Sequence, residues 1–574
     1  MKTIKQCKHK TYTDMKKNFV LIALFLIALI PAAWGQVDKG LELFLLEDFD
    51  EAKKVFEQTA TSEPDIAYYY LGEIELQKNN PEEAMAYYQK GISSDPDAIF
   101  SEIGATKLTL KSNPNEFKKS MQSIAKKNRK KAPVLLAVAQ AYRYNDMHKE
   151  ASSALSSARS ADKSYPYIYL FEGYWMEKQG NTGGAATQYE QAINFDPHCA
   201  VAYVKNSIAY SSVLPSAAIN TLRTGLEANP GNELIGKYLA RSYYRNGFYD
   251  QAITEYNNLL QYGNLSPEDE RNHAACLYFS DKFDEALSAL STILAKDPDH
   301  PIMNRLMMYT QSELQNYEEA IKAGEHFFEL RSDEEEFKPL LTDFTILAEA
   351  YMSVEKIDQA IETYWKAVKV NPEEVNLYKE VASTLGRAGR TIDAAEFYQG
   401  YIDATQSTES ADFLQLGIYH YQVAGQLARK VSAAEKAIEA EETVEVSPAV
   451  LKDSLNQFVG NAVEAFGKVV ELIPESYQGY YWRANANTLI DQDLSKGLAN
   501  NDYQKMIEIL SASEDSDNQS RLTEAYRYFA IYYLYQYDSS NSNADKNQSI
   551  EYAKKVLELS PVDATATQIV EGLQ

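Results

Sequence analysis

The sequence predicts an all-α fold built as a solenoid of stacked helix–turn–helix repeats. Three observations carry this. An alanine, a bulky residue four positions on and a proline eight further on recur about every 34 residues, beginning Ala52-Phe56-Pro64, Ala84-Tyr88-Pro96 and Ala185-Tyr189-Pro197. Later copies are Ala218-Leu222-Pro230, Ala286-Leu290-Pro298, Ala360-Tyr364-Pro372 and Ala462-Phe466-Pro474. Self-similarity at this period marks stacked repeats, because one helical hairpin cannot bury its apolar face alone. A small residue also precedes the anchors on what reads as a first helix, as in Leu71-Gly72, Glu172-Gly173, Leu239-Ala240 and Leu347-Ala348. Finally, 42 tyrosines against 4 tryptophans gather at positions where helices pack. A solenoid lengthens by adding units, so 574 residues need not mean several domains.

The N-terminus reads as a secretory signal. Lys16 and Lys17 precede the apolar run Phe19 to Ile30, Pro31 ends it, and Ala33-Trp34-Gly35 supplies small residues for cleavage after Gly35. The run is shorter than the roughly 20 residues of a membrane span, which makes an uncleaved anchor the lesser alternative. No cysteine follows it for lipid attachment, and Met15 is an alternative start. The expected mature chain is periplasmic and carries 50 basic and 81 acidic side chains, a net charge of −31. Such a chain repels nucleic acid and most anionic membrane, so any membrane contact is peripheral. Cys199 and Cys276 lie more than two repeats apart and read as buried apolar residues rather than a disulfide.

Residues 36–332 read as one array, with anchors at Ala52, Ala84, Ala151, Ala185, Ala218, Ala252, Ala286 and Ala320, and a degenerate unit around Phe117. Residues 333–340 interrupt the period with the acidic run Asp333-Glu334-Glu335-Glu336, a solvated loop or joint. A second array, 341–574, has anchors at Ala360, Ala394, Ala462 and Ala499 and a last unit ending at Pro561. Between Ala394 and Ala462 the period doubles. Residues 424–446 are therefore either a worn-down repeat or, as we favour, lengthened helices. Ser511 to Ser520 and Asp538 to Asn547 read as polar loops.

These residues resemble the tetratricopeptide repeat, a 34-residue helix–turn–helix module with a small residue at its eighth position, alanine at its twentieth and proline at its thirty-second. The resemblance covers nearly everything from Val37 to Pro561. It implies a right-handed superhelix of about fourteen repeats whose concave groove, lined by first helices, binds extended peptides. Carried onto this chain, the groove positions include Arg143, Tyr144, Tyr174, Tyr203, Tyr210, Lys237, Arg241, Tyr244, Arg245, Arg271, Tyr278, Lys379 and Arg387. The central set is basic and aromatic on an acidic chain. Arginine grips carboxylates bidentately and tyrosine offers rigid contact area. Some family members clamp a peptide C-terminus with lysine and asparagine. Lys237 matches the lysine, but Arg241 replaces the asparagine.

No motif points to catalysis. Gly231 to Lys237 imitates a phosphate loop, but Tyr238 stands where Ser or Thr should follow and no strand is expected before it. His148, His198, His273, His300, His326 and His420 are scattered without ligand spacing. Asp538 to Asp545 lacks the glycine and closing glutamate of a calcium loop. The expectation is a protein that is no enzyme and holds no cofactor or metal. Residues 118–131 form a basic patch with Lys118, Lys119, Lys126, Lys127, Arg129, Lys130 and Lys131. Its plainer reading is a solvated helix face; its sharper one is docking of an acidic partner or anionic headgroups. The function expected is a periplasmic interaction scaffold for other proteins of the envelope. The alternative is an outer-membrane-associated glycan-binding protein of a nutrient-uptake system.

Overall fold

The computed structural model describes residues 36–110, 112–263, 265–330, 338–512 and 518–573. The expected signal segment 1–35 and the acidic run Asp333 to Glu336 lie outside the described residues. Among the described residues there are 29 helices and no strand. First and second helices alternate. The opening pairs are α1 (36–45) with α2 (Phe49–Thr59), α3 (Pro64–Gln77) with α4 (Pro81–Ser94), and α5 (Ile99–Lys107) with α6 (Pro114–Lys127). Next come α7 (Ala132–Tyr144) and α8 (His148–Ala161), α9 (Tyr167–Lys178) and α10 (Thr182–Phe195), and α11 (Ala200–Ser211) and α12 (Pro215–Ala228). They are followed by α13 (Glu233–Arg245) and α14 (Tyr249–Leu260), α15 (Pro267–Phe279) and α16 (Phe283–Lys296), and α17 (Pro301–Glu313) and α18 (Tyr317–Glu329). Further on lie α19 (Leu341–Ser353) and α20 (Ile357–Val370), α21 (Asn376–Arg387) and α22 (Thr391–Thr405), and α23 (Ser410–Glu439) and α24 (Pro448–Leu472). The last are α25 (Tyr477–Thr488) and α26 (Asn500–Ser511), α27 (Gln519–Ser540) and α28 (Asn543–Leu559), and the single α29 (Ala564–Leu573). The chain forms two compact units, Met1–Leu306 and Met307–Gln574, with the boundary inside α17.

Local chemistry sets the punctuation. Within a pair, the connecting turn places one residue in the left-handed region: Asn79, Asp146, Gly180, Gly247, Asp281, Glu355 or Gly389. Such a residue satisfies the last carbonyls of the first helix. Between pairs, Asp95, Asp162 and Asp196 accept from the backbone N–H two residues on, at 2.8–3.0 Å, holding the turn that their sequence neighbours begin. Gly231 (φ +76°) lies in such a link between α12 and α13, with no strand before it, so the phosphate-loop likeness is accidental.

The repeat's packing rule is one ring on one missing side chain. Every alanine anchor from Ala52 to Ala499 is buried, as are Phe117 and Met121 of the degenerate unit. Twelve residues before the anchor, most first helices present a small residue to the bulky side chain four residues after that anchor; in the lengthened hairpin Gly417 faces Phe466 across a longer interval. A Cβ on Gly173 would lie 2.5 Å from the Tyr189 ring, and one on Gly40 would lie 2.7 Å from Phe56. One unit reverses the roles. Gly324 takes the bulky position, and Met308 fills the gap from the first helix, its Sδ 2.6 Å from where a Cβ would stand. Volume is conserved while its donor changes, as close packing requires.

Two departures from regularity matter. The doubled period is a lengthened hairpin, since α23 has 30 residues and α24 has 25 where ordinary members have 12–15. The expected polar loop at 538–547 is instead helical, with Asn541 in the left-handed region and Ser542 capping α28 as the only link. Asn541 closes α27, and Asp545 in the first turn of α28 accepts from Ser540. Ser511 ends α26 and Gln519 opens α27; 513–517 lie outside the described residues.

In the first unit, first helices also meet distant first helices. Tyr69 donates to Gln140 at 3.0 Å, Tyr167 donates to Asp38 at 3.2 Å, and Phe44 lies 6.3 Å from Phe171. Lys178 pairs with Glu47 at 2.5 Å. Helices α7, α9 and α11 are consequently buried on most sides rather than along one stripe. Helix α1 therefore meets a helix well beyond the neighbouring repeat.

Candidate functional site

The convergence of first helices fills the early part of the expected groove. Tyr174 and Tyr203 are buried in the core, the latter donating to the carbonyl of Pro197 at 3.1 Å, and neither lines an open surface. They were expected in the groove, and burial among helices α9 to α12 corrects that. Arg143 lies over the Trp175 ring and contacts His148 at 3.1 Å. Tyr144 is exposed, with Lys107 5.1 Å from its ring centre, and Tyr210 donates to Glu190 at 2.7 Å.

Several first-helix cations are engaged between repeats. Arg241 makes a fork to both carboxylate oxygens of buried Asp269, at 2.6 and 3.0 Å, and reaches Glu268 at 2.5 Å. Lys379 donates to buried Asp412 at 2.8 Å and sits 3.9 Å above Tyr401. Lys205 pairs with Glu177 at 2.5 Å, and fully buried Lys107 pairs with Glu73. Arg241 and Lys379 therefore join successive repeats, and the ligand-gripping role expected of them is already occupied from within. The acids that hold them went unnoticed in the sequence because carboxylates are everywhere. Their signal is their place at the next first helix's N-terminus, where Asp269 takes a hydrogen bond from Ser266 and Asp412 one from Ser407.

Lys237 and Arg245 are not held in this way. Lys237 is half-buried and Arg245 exposed, two turns apart on α13, and neither enters an ion pair among the described residues. Arg271 occupies on α15 the place of Lys237 on α13, three residues before the small residue (Ala274 and Ala240). Arg305 repeats that place on α17, before Met308, at the same 34-residue interval. Tyr244 and Tyr278 pack against Tyr249 and Phe283 at their own helix ends. Arg387 is exposed and donates to Thr384 at 3.3 Å. On the outer side, all seven cations of residues 118–131 are exposed, opposite buried Phe117 and Met121. Cys199 and Cys276 are free and buried, which pushes their thiols up to about 12. No group of three or more His, Cys, Asp or Glu side chains among the described residues could hold a metal ion. No helix of the described residues is long and apolar enough to cross a membrane.

Residues 37–99 match the family model described as tetratricopeptide repeat. A TPR repeat-containing protein of Methanocaldococcus jannaschii is 22% identical over 329 residues, covering 56% of this chain and 49% of that relative. The chain is a tetratricopeptide-repeat (TPR) protein. It spans about half the length of that curated relative. Residues 236–481 of the TPR protein also match the model described as intraflagellar transport protein 56. Among solved structures it is similar to the C-terminal part of a TPR repeat-containing protein from Cytophaga hutchinsonii, at 25% identity, 52% of this chain, 98% of that chain and TM-score 0.30. It is likewise similar to YrrB, described as a TPR protein with an unusual peptide-binding site, at 16% identity, 33% and 96% coverage and TM-score 0.30. TPR proteins are protein-interaction scaffolds, and the fold is typically non-enzymatic.

Proposed function

We propose that this TPR protein is an exported, periplasmic, non-enzymatic scaffold that holds extended acidic segments of envelope proteins along first helices α13 and α15. The observation that carries the reading is the ladder that Lys237 and Arg271 form, one cation per repeat at one register position on the neighbouring helices α13 and α15. Adjacent first helices stack side by side, so a repeated position becomes a row. A row of cations on a chain of net charge −26 favours carboxylates through field as well as contact. Affinity comes from several modest contacts on a preformed surface, with little ordering cost to the scaffold. Export is supported by the basic, apolar and small-residue order of residues 16–35.

The test is site-specific photocrosslinking in living cells from position 245, exposed on the same helix α13, in the otherwise wild-type protein and in a Lys237→Glu/Arg271→Glu variant. The expected outcome is loss of the captured segments in the variant with an unchanged melting temperature. Equal capture by both proteins overturns the choice of groove. N-terminal sequencing of the protein from the periplasmic fraction should begin at Gln36; recovery in the cytoplasm with residues 1–35 intact overturns export.

A further inference from the structure

The break in the repeat at α23 and α24 creates a cleft walled by the added turns. In an ordinary second helix the anchor alanine is the fourth residue, as Ala84 is in α4; in α24 it is Ala462, the fifteenth. The added turns carry Gln457, Phe458 and Asn461, which form one wall of a cleft of about 610 Å³ against α22. That size lies within the range of small-molecule sites.

The floor is aromatic and the rim acidic. Trp365 is stacked on Phe397 at 4.0 Å and turns toward the cleft, with Phe413 and Phe458 beside it. Glu396, Asp403 and Glu464 stand around the mouth, the first two on α22 and the third on α24. The one cation of the lining, Lys468, is drawn away to Glu471 at 2.7 Å, and Gln399 donates to only one oxygen of Asp403, also at 2.7 Å. Between floor and rim lies His420, 5.9 Å from the Phe458 ring, whose Nδ1 is buried without a hydrogen-bond partner. Burial pulls the imidazole down to about 4, so at neutral pH it is uncharged and able to accept a proton donor. A buried polar atom left unmatched is unfavourable, and a ligand N–H placed there would satisfy it.

We propose that this cleft binds an organic ammonium ion carried on an aromatic or branched apolar body. The body lies among Trp365, Phe413 and Phe458, where ring faces attract cations as well as apolar surface. A small turn of the His420 ring opens its Nδ1 to the ammonium, which is balanced by Glu396, Asp403 and Glu464. An anion of the same shape meets three carboxylates and no free cation, and is rejected. This site is separate from the cationic ladder and takes the opposite charge, so either reading can fail without the other.

The experiment is calorimetric titration of the full mature chain with phenethylamine, with 3-phenylpropanoate as the anionic match, and with a blocked Lys-Phe dipeptide amide. Phenethylamine should bind and 3-phenylpropanoate should not. Glu396→Gln/Glu464→Gln should weaken the amine about tenfold, the equivalent of 1.4 kcal/mol, and His420→Leu should weaken it by a similar factor. Each variant is accompanied by a thermal melt, and Glu508→Gln on α26 serves as the charge control that leaves binding unchanged. Tighter binding of the dipeptide than of phenethylamine assigns the ammonium to a protein side chain; the reverse assigns it to a free amine. Equal binding of amine and anion, absence of amine binding, or indifference to the rim variants in proteins that melt normally overturns the proposal.

Discussion

At the scale of single residues, burial decides what a charge does. Arg241 and Arg245 lie one turn apart on α13 and look equivalent in sequence, yet only Arg241 is enclosed, its side chain 13% exposed against an Asp269 at 3%. Arg241→Ala leaves a buried carboxylate uncompensated and should cost about 3–5 kcal/mol. Arg245→Ala at the surface should stay within about 0.5 kcal/mol. Chemical denaturation of the two variants makes the comparison, and equal effects contradict the inter-repeat role. Glu42 on α1 carries a different consequence. Burial, and then the charge of Asp38, push its carboxyl up to about 7. The folded value lies above the unfolded one of about 4.3, so the folded state holds the proton more tightly. Its contribution to stability is complete below about 4.3 and is lost as pH rises through about 7. Glu42→Gln should therefore be more stable than wild type at pH 8, by about 3–4 kcal/mol, and match it at pH 4. Thermal melts at the two pH values check the sign.

At the scale of helices, the constraint is that facing volumes sum to a constant. Gly173 and Tyr189 satisfy it with glycine on the first helix, and Met308 and Gly324 satisfy it with glycine on the second. Gly173→Leu drives a side chain into a ring that is itself fully buried, and should cost about 1–3 kcal/mol in a denaturant melt. Such pairs were legible from spacing alone, because a 12-residue offset between small residue and anchor persists along the chain. The lengthened hairpin was legible only as an irregularity. The stretch 424–446 is rich in Ala, Glu and Lys, which suit a long helix and a worn repeat equally well. Continuous helix to Glu439 and from Pro448 decides between them.

At the scale of the whole molecule, the first unit is closed upon itself by α1. Val37, Leu41, Phe44 and Leu45 are buried, and each contributes on the order of 1.5–3 kcal/mol as a fully buried apolar side chain. Deleting residues 36–47 should remove hydrogen-exchange protection from α9, which lies more than a hundred residues away in sequence, while leaving α25 of the second unit unchanged. A loss confined to α2 and α3 would show that α1 is merely a terminal cap. Burial also explains why the groove reading needed revision. Tyr174 and Tyr203 hold positions that face a ligand in an open array, but here both are buried, Tyr203 against Gly225 of α12.

The order of the amino acids alone determined the helical class, the repeat length, the number of pairs and the identity of nearly every anchor. Each of these depends on contacts within a repeat or with the next one, and such contacts leave a fixed spacing in the chain. Three features were decided only by the tertiary structure. These are the meeting of α1 with α9, the engagement of Arg241 and Lys379 by Asp269 and Asp412, and the cleft beside His420. The first joins helices more than a hundred residues apart, where no periodicity can register the pairing. The second depends on which of 82 acidic side chains comes to lie within hydrogen-bond reach. The third arises where the period fails, and an interrupted pattern marks a place without describing its shape.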